Sequence, residues 1–322
     1  MSQKYSAVFL DHASLDLGDL DLNPLRECFE RLQLHAQTCA EEVSQRLQGA
    51  QVAISNKAPL TAACFAANPQ LKLVLVAATG TNNVDLAAAH AHGVSVCNCR
   101  AYGTPSVAQH TLMLLLALAT RLPDYQQQVR AGAWQQASQF CLLDFPIIEL
   151  HGKTLGLLGN GELGSAVGRL AEAFGMRVLL GQLPGRPPRP DRLPLHELLP
   201  QVDALSLHCP LTEQTRKLIG AAELALMKPQ AFLINTARGG LVDEQALAAA
   251  LRAGQLGGAA FDVLSEEPPR QGNPLLDNAI PRLIITPHNA WGSREARQRI
   301  VGQLAENARA FIAGVPMRVV SG

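Results

Sequence analysis

Three charged side chains stand just past three short apolar runs in the second half of a 322-residue chain. Arg238 follows residues 232–235 within Asn235-Thr236-Ala237-Arg238-Gly239-Gly240, Glu267 follows 258–262, and His288 follows 283–286 within Thr286-Pro287-His288-Asn289. If those runs are parallel strands, all three side chains reach the carboxyl edge of one sheet, where ligands of open α/β sheets bind. A guanidinium offers a fixed fork of donors to a carboxylate or a carbonyl oxygen. An imidazole can protonate a developing alkoxide, and a carboxylate beside it fixes its tautomer and stabilises the imidazolium. Hydride transfer to a 2-keto acid needs those three group types, so Arg238, Glu267 and His288 form the candidate catalytic set. Each alone would read as a surface ion-pair partner or a structural histidine; only their shared placement points to chemistry.

Upstream, Gly159-Asn160-Gly161-Glu162-Leu163-Gly164 has the spacing of a dinucleotide-binding turn. The run 153–158 before it reads as a buried strand, and apolar residues at helical spacing follow from 162 to 174. Gly159 would permit the turn, Gly161 the approach of a pyrophosphate, and Gly164 close packing of helix on sheet, with the phosphates at the helix N-terminus. The next strand should end in an acid that accepts from the ribose hydroxyls. Here Gly181, 22 positions after Gly159, stands in that acid's place, Gln182 follows it, and the Pro-rich loop beyond carries Arg186 and Arg189. Arginines pair with phosphate, so the expectation is NADP(H) over NAD(H), with Gln182, Arg186 and Arg189 at the 2′-phosphate. The alternative is that the arginines only solvate a loop.

Strand-like and helical runs alternate throughout, which predicts an α/β fold. Strands are expected at 7–11, 52–55, 71–77 and 94–98, with helices at 23–34 and 40–47. Six more strands are expected at 154–158, 178–180, 204–208, 232–235, 258–262 and 283–286. A long apolar helix over 104–121 would cross between two domains, and a last helix at 293–313 would return to the first. Two doubly wound parallel-sheet domains follow: a flavodoxin-like substrate domain of residues 1–99 and 291–322, and a Rossmann dinucleotide-binding domain of residues 100–290 inserted in it.

Lysines plus arginines number 27 and acids 27, and aromatics are 4% of the chain, which argues against nucleic acid or an anionic membrane as partner. Seven cysteines, an odd count, suggest reduced thiols and a cytoplasmic location, and the isolated Cys97/Cys99 pair makes no metal site, so no metal is expected. The apolar run 112–119 is too short to span a bilayer. The apolar helix 104–121 needs covering, which makes a homodimer the expected assembly.

Seven ordered motifs carry a resemblance over nearly the whole length. They are residues 77–85 (Ala-Ala-Thr-Gly-Thr-Asn-Asn-Val-Asp), 104–110 (Thr-Pro-Ser-Val-Ala-Gln-His), the glycine turn, 208–212 (His-Cys-Pro-Leu-Thr), 235–243, 262–268 and 287–291. With them the chain resembles the D-isomer-specific 2-hydroxyacid dehydrogenases. The resemblance implies that Arg238 binds substrate, that His288 is the acid–base, and that Glu267 pairs with it. It implies a substrate site of Asn56, Ala78, Thr79, Gly80 and Arg238, the Thr79-Gly80 backbone holding a carboxylate across a cleft that closes over keto acid and cofactor. Asp262 would contact the nicotinamide carboxamide. Thr79, Val107, Glu162, Leu163, His208, Cys209, Pro210, Thr236, Ala237, Arg238, His288 and Ala290 would line the cofactor. Asn56-Lys57 and Trp291 look most like glycerate dehydrogenase or hydroxypyruvate reductase members, implying hydroxypyruvate or glyoxylate as substrate. Asn289 departs from the apolar residue usual there. Another 2-keto acid, a formate- or phosphonate-type dehydrogenase, or a cofactor-sensing regulator of the same fold are the alternatives.

Overall fold

In the computed structural model, which describes residues 5–320, the chain falls into two compact units. One runs through Gly103 and resumes at Gly292; the other is Thr104–Trp291. The junctions thus stand four residues beyond the expected 99/100 and one residue beyond the expected 290/291, and residues 1–4 and 321–322 of the expected first domain lie outside the described residues.

The first unit carries β1 (Ser6–Phe9), β2 (Arg31–Leu34), β3 (Val52–Ser55), β4 (Leu73–Val76) and β5 (Ser95–Cys97). All pair in parallel, in the order β2-β1-β3-β4-β5, which is the flavodoxin-like doubly wound order. β3 and β4 are buried at every position, as strands covered on both faces must be. The expected helix at 23–34 is corrected: the helix stops at Asn23–Arg26, and Arg31-Leu32-Gln33-Leu34 pairs with β1 as an edge strand with alternating exposure. The closing helix Arg294–Ile312 starts at Ser293, whose hydroxyl accepts from Ala296 N, and buries Ile300, Val301, Leu304 and Ala308.

The second unit carries β6 (Thr154–Leu158), β7 (Arg177–Gly181), β8 (Ala204–Leu207), β9 (Phe232–Asn235), β10 (Gly258–Phe261) and β11 (Leu283–Ile285). Their parallel order is β11-β10-β9-β8-β6-β7. Leu193 extends the β7 edge by a single parallel bridge to Gly181, so the winding is that of a Rossmann sheet. It reverses between β6 and β8, opening a crevice at their carboxyl ends. Helices Thr104–Ala119 and Glu162–Ala173 cover one face, where Leu114, Leu115 and Leu118 pack with Leu155, Leu157, Val167 and Ile234. The helix Thr104–Ala119 therefore lies wholly in this unit rather than crossing between units, and its apolar side is already covered. The opposite face is closed by Leu198, Leu224, Leu247 and Leu251 from shorter helices packed on Leu205, Leu233 and Phe261.

Candidate active site

β9, β10 and β11 are neighbours, and each is followed at its carboxyl end by one of the candidate catalytic residues. Glu267 and His288 meet: His288 Nδ1 lies 2.5 Å from Glu267 Oε2, while Glu267 Oε1 accepts Leu264 N at 2.8 Å. A carboxylate at that distance requires the proton on Nδ1, which leaves Nε2 as the ring position for exchange with a ligand. Arg238 is exposed, and its Nη1 donates to Ala237 O at 2.6 Å. Its loop is tied to strand β9 by Asn235, whose Nδ2 donates to Arg238 O and whose Oδ1 accepts Ala237 N. The loop after Arg238 packs on the loop that carries Glu267, since a Cβ on Gly239 would collide with the Leu264 carbonyl and Ser265 N.

His288 stands at φ +52°, a left-handed conformation costly for a side chain of its kind. Asp262, only 2% exposed, stabilises that loop: Oδ1 accepts Asn289 N and the Thr286 hydroxyl, and Oδ2 accepts Ala290 N at 2.9 Å. His110 Nε2 lies 3.0 Å from the same Thr286 hydroxyl. Trp291 Nε1 donates to His288 O, and Ser106 Oγ donates to Ala290 O. Asn289 is exposed.

The glycine turn sits at the sheet's winding reversal. Gly159 has φ +100°, and a Cβ there would lie 2.5 Å from His208 O. A Cβ on Gly164 would collide with Gly159 O, whereas one on Gly161 would meet no atom within 4 Å. The first and last glycines thus answer to the fold, and Gly161 opens onto free space at the N-terminus of Glu162–Ala173. That is the cradle a pyrophosphate fits. Glu162 is exposed and accepts the Thr104 hydroxyl at 2.5 Å, Leu163 is half-buried, and Val107 is buried. His208 Nε2 lies 2.8 Å from Ser206 Oγ, while its Nδ1 is buried with no partner, and burial pushes the ring down to about 4. Cys209 is buried and its thiol pushed up to about 11, and Pro210 is exposed beside it. Thr236 and Ala237 are buried, the Thr236 hydroxyl 2.9 Å from that of Thr111. Ala290, two residues after His288, is buried as well.

At the end of β7 the structure corrects one attribution. A Cβ on Gly181 would collide with Leu158 Cδ2 and lie 2.8 Å from Leu198 Cδ2, so position 181 faces the core. By the two-residue strand period, Gln182 occupies the place where a ribose-binding acid would stand. Its Nε2 donates to the carbonyls of Leu183, Arg186 and Pro187, which curls the loop back on itself. Arg189 is held by Asp191 at 3.0 Å. Arg186 is exposed, and among the described residues no carboxylate pairs with it.

In the first unit, Thr79 is exposed, Gly80 half-buried and Ala78 buried. Asn98 Nδ2 donates to Thr79 O and Cys99 N to Ala78 O. The Thr79 and Gly80 amides have no acceptor among the described residues. Asn56 is 4% exposed, its Nδ2 donating to Ser14 Oγ, so Lys57 is the exposed member of that pair. The residue that shapes this loop is one the sequence does not single out: Asp11 accepts the amides of Asn56, Lys57 and Ala58. Its only signal is an acid directly after an apolar strand, which is too common to be distinctive. Cys97 and Cys99 are buried, with thiols pushed up to about 11 and about 12. Among the described residues no cluster of three or more His, Cys, Asp or Glu could hold a metal, and no helix is long and apolar enough to cross a membrane.

Residues 112–290 match the family model of the D-isomer specific 2-hydroxyacid dehydrogenase NAD binding domain. The chain is 46% identical over 313 residues to a glycerate dehydrogenase of Methylorubrum extorquens, covering 97% of this chain and 98% of that one. It is 38% identical to a hydroxypyruvate reductase of Blautia hydrogenotrophica, over 98% and 99% of the two chains. Among solved structures, the TT0316 protein from Thermus thermophilus superposes with a TM-score of 0.85 at 35% identity, over 98% of this chain and 99% of that one. The sheet, the glycine turn and the Glu267–His288 pair thus belong together: the chain is a member of the D-isomer specific 2-hydroxyacid dehydrogenase family.

Proposed function

We propose that this dehydrogenase reduces hydroxypyruvate or glyoxylate, giving D-glycerate or glycolate, and that Arg238, Glu267 and His288 are its catalytic residues. The observation that carries the reading is the 2.5 Å pair of Glu267 and His288 on the sheet edge that also bears the glycine turn. The bound dinucleotide supplies the hydride. Arg238 holds the substrate carboxylate or polarises its carbonyl. His288 gives its Nε2 proton to the developing alkoxide, while Glu267 at Nδ1 stabilises the imidazolium. Within the first unit, the Thr79 and Gly80 amides, which meet no acceptor among the described residues, could hold a carboxylate, with Asn56 and Ala78 shaping the loops beside them. The similarity to relatives named glycerate dehydrogenase and hydroxypyruvate reductase favours the three-carbon substrate.

The dinucleotide would be held over the Gly159, Gly161 and Gly164 turn, against Val107, Glu162, Leu163, His208, Cys209, Pro210, Thr236, Ala237 and Ala290, with Asp262 fixing the His288 loop that would face it. NADP(H) is favoured over NAD(H). Gln182 brings no negative charge to repel a 2′-phosphate, and Arg186 is an exposed cation that no carboxylate pairs with among the described residues. Arg189 is the weaker candidate, because Asp191 already pairs with it. A homodimer is the proposed assembly, on different grounds from the helix Thr104–Ala119: exposed apolar side chains gather after it, Trp134, Leu143 and Ile147 among them, with Phe140 89% exposed. The seven free thiols are consistent with the cytoplasm.

A steady-state panel of 2-keto acids with NADPH and NADH tests the function. Turnover of hydroxypyruvate or glyoxylate, abolished in His288→Ala, is the expected result. Cofactor binding without turnover of any keto acid would overturn it and favour a regulator.

A further inference from the structure

The loop that carries Glu267 is gripped by a buried acid outside the catalytic set. Glu244, the first residue of helix Glu244–Arg252, is 8% exposed. Its Oε1 accepts Ser265 N at 2.7 Å; its Oε2 accepts Ser265 Oγ at 2.6 Å and Asn273 Nδ2 at 2.7 Å. Ser265 precedes Glu267 and Asn273 follows it, so one carboxylate ties down both sides of the loop. Asn273 is fixed in turn, its Oδ1 accepting Leu275 N at the start of the turn Pro274–Leu276. Burying a carboxylate is costly unless its lone pairs are filled, and here charge-assisted bonds fill them.

A second contact converges on the same loop. Gly239, the neighbour of Arg238, packs so closely on Leu264 and Ser265 that no Cβ would fit, and Leu264 N is the donor to Glu267 Oε1. The segment from Arg238 to Glu244 therefore touches the Glu267 loop at its beginning and at its end. A loop needing only to be folded could be held by apolar packing; three aligned donors on one carboxylate also fix where its side chains point.

We propose that Glu244 is a positioning residue, which holds the Ser265–Asn273 loop so that Glu267 presents its carboxylate to His288 Nδ1. This rests on the reading of Glu267 and His288 as the acid–base pair.

The direct test is the ring tautomer of His288, read from long-range proton–nitrogen correlations in the full-length protein labelled with ¹⁵N-histidine, with His288→Ala assigning the signal. At alkaline pH the wild type should hold the proton on Nδ1. Glu244→Gln keeps one acceptor oxygen where two are used, and Asn273→Ala removes a donor without burying a new charge. Both should relax the ring toward the Nε2–H form common in unconstrained histidine. If Glu244→Gln does not fold, Asn273→Ala decides. A ring that stays Nδ1–H in the folded variants overturns the inference, as does an Nε2–H ring in the wild type. In turnover, Glu244→Gln should lose kcat by roughly 10- to 100-fold, with cofactor affinity unchanged. Absence of wild-type turnover would instead overturn the proposed reaction, and the tautomer would still decide the role of Glu244.

Discussion

Asp262 reaches His288 through the backbone: its two oxygens accept the amides of Asn289 and Ala290, the residues that follow His288 at φ +52°. The strained conformation persists because a buried carboxylate over-determines it. Asparagine has one acceptor oxygen, so Asp262→Asn must turn an N–H toward a backbone N–H. We expect a folded protein less stable by about 1–3 kcal/mol, with kcat falling by roughly 10- to 100-fold as His288 loses its place. Thermal unfolding and steady-state kinetics check this, and wild-type kcat in the variant would show that the loop holds without the acid.

The three glycines of the turn should separate into two kinds. Gly159→Ala forces a side chain to φ +100° and against His208 O, and should cost about 2 kcal/mol or more. Gly161→Ala meets nothing within 4 Å, so its stability should match the wild type while affinity for the dinucleotide falls. Denaturant titration beside fluorescence titration of the reduced cofactor distinguishes them. A Gly161→Ala variant with unchanged affinity would mean that no pyrophosphate approaches there.

Cofactor choice should follow Arg186 more than Arg189. Losing a charge-assisted contact to a phosphate costs about 1.5–3 kcal/mol, so Arg186→Ala should lower the NADPH/NADH ratio of kcat/KM by roughly 10- to 100-fold. Arg189→Ala should lower it less, because Asp191 already engages that guanidinium. A wild-type preference for NADH would remove the basis for both.

Much of the fold and of the site is legible in the sequence, and the exceptions have physical causes. The inner Rossmann strands β6, β8, β9 and β10 stand out because they are buried at every position, giving apolar runs bounded by glycine and polar residues. β2 does not, because Arg31-Leu32-Gln33-Leu34 is an edge strand with a single partner and good helix formers. Arg238, Glu267 and His288 are visible from their places after three strands. Asp11 and Glu244 are not, since each works by accepting donors brought from elsewhere in the chain. Side-chain direction at a strand end is the remaining gap: which of Gly181 and Gln182 faces outward depends on the pleat, and the side chains of Leu158 and Leu198 decide it.

His208 should make stability depend on pH in the mildly acidic range. Burial pushes the folded ring down to about 4 from an ordinary value near 6.5. Between those values the unfolded chain binds a proton that the native state refuses, so stability rises with pH across the window. The contribution is complete above about 6.5 and is lost as pH falls through about 4. His208→Gln carries its amide about where Nε2 stands, keeps a partner for Ser206 and does not titrate, so it should remove that dependence. Urea unfolding at pH 7 and pH 4.5 should show the wild type losing stability relative to the variant by on the order of 1–3 kcal/mol. An equal difference at both pH values would mean that the native ring accepts its proton as freely as the unfolded one, and that the buried Nδ1 is not closed to solvent.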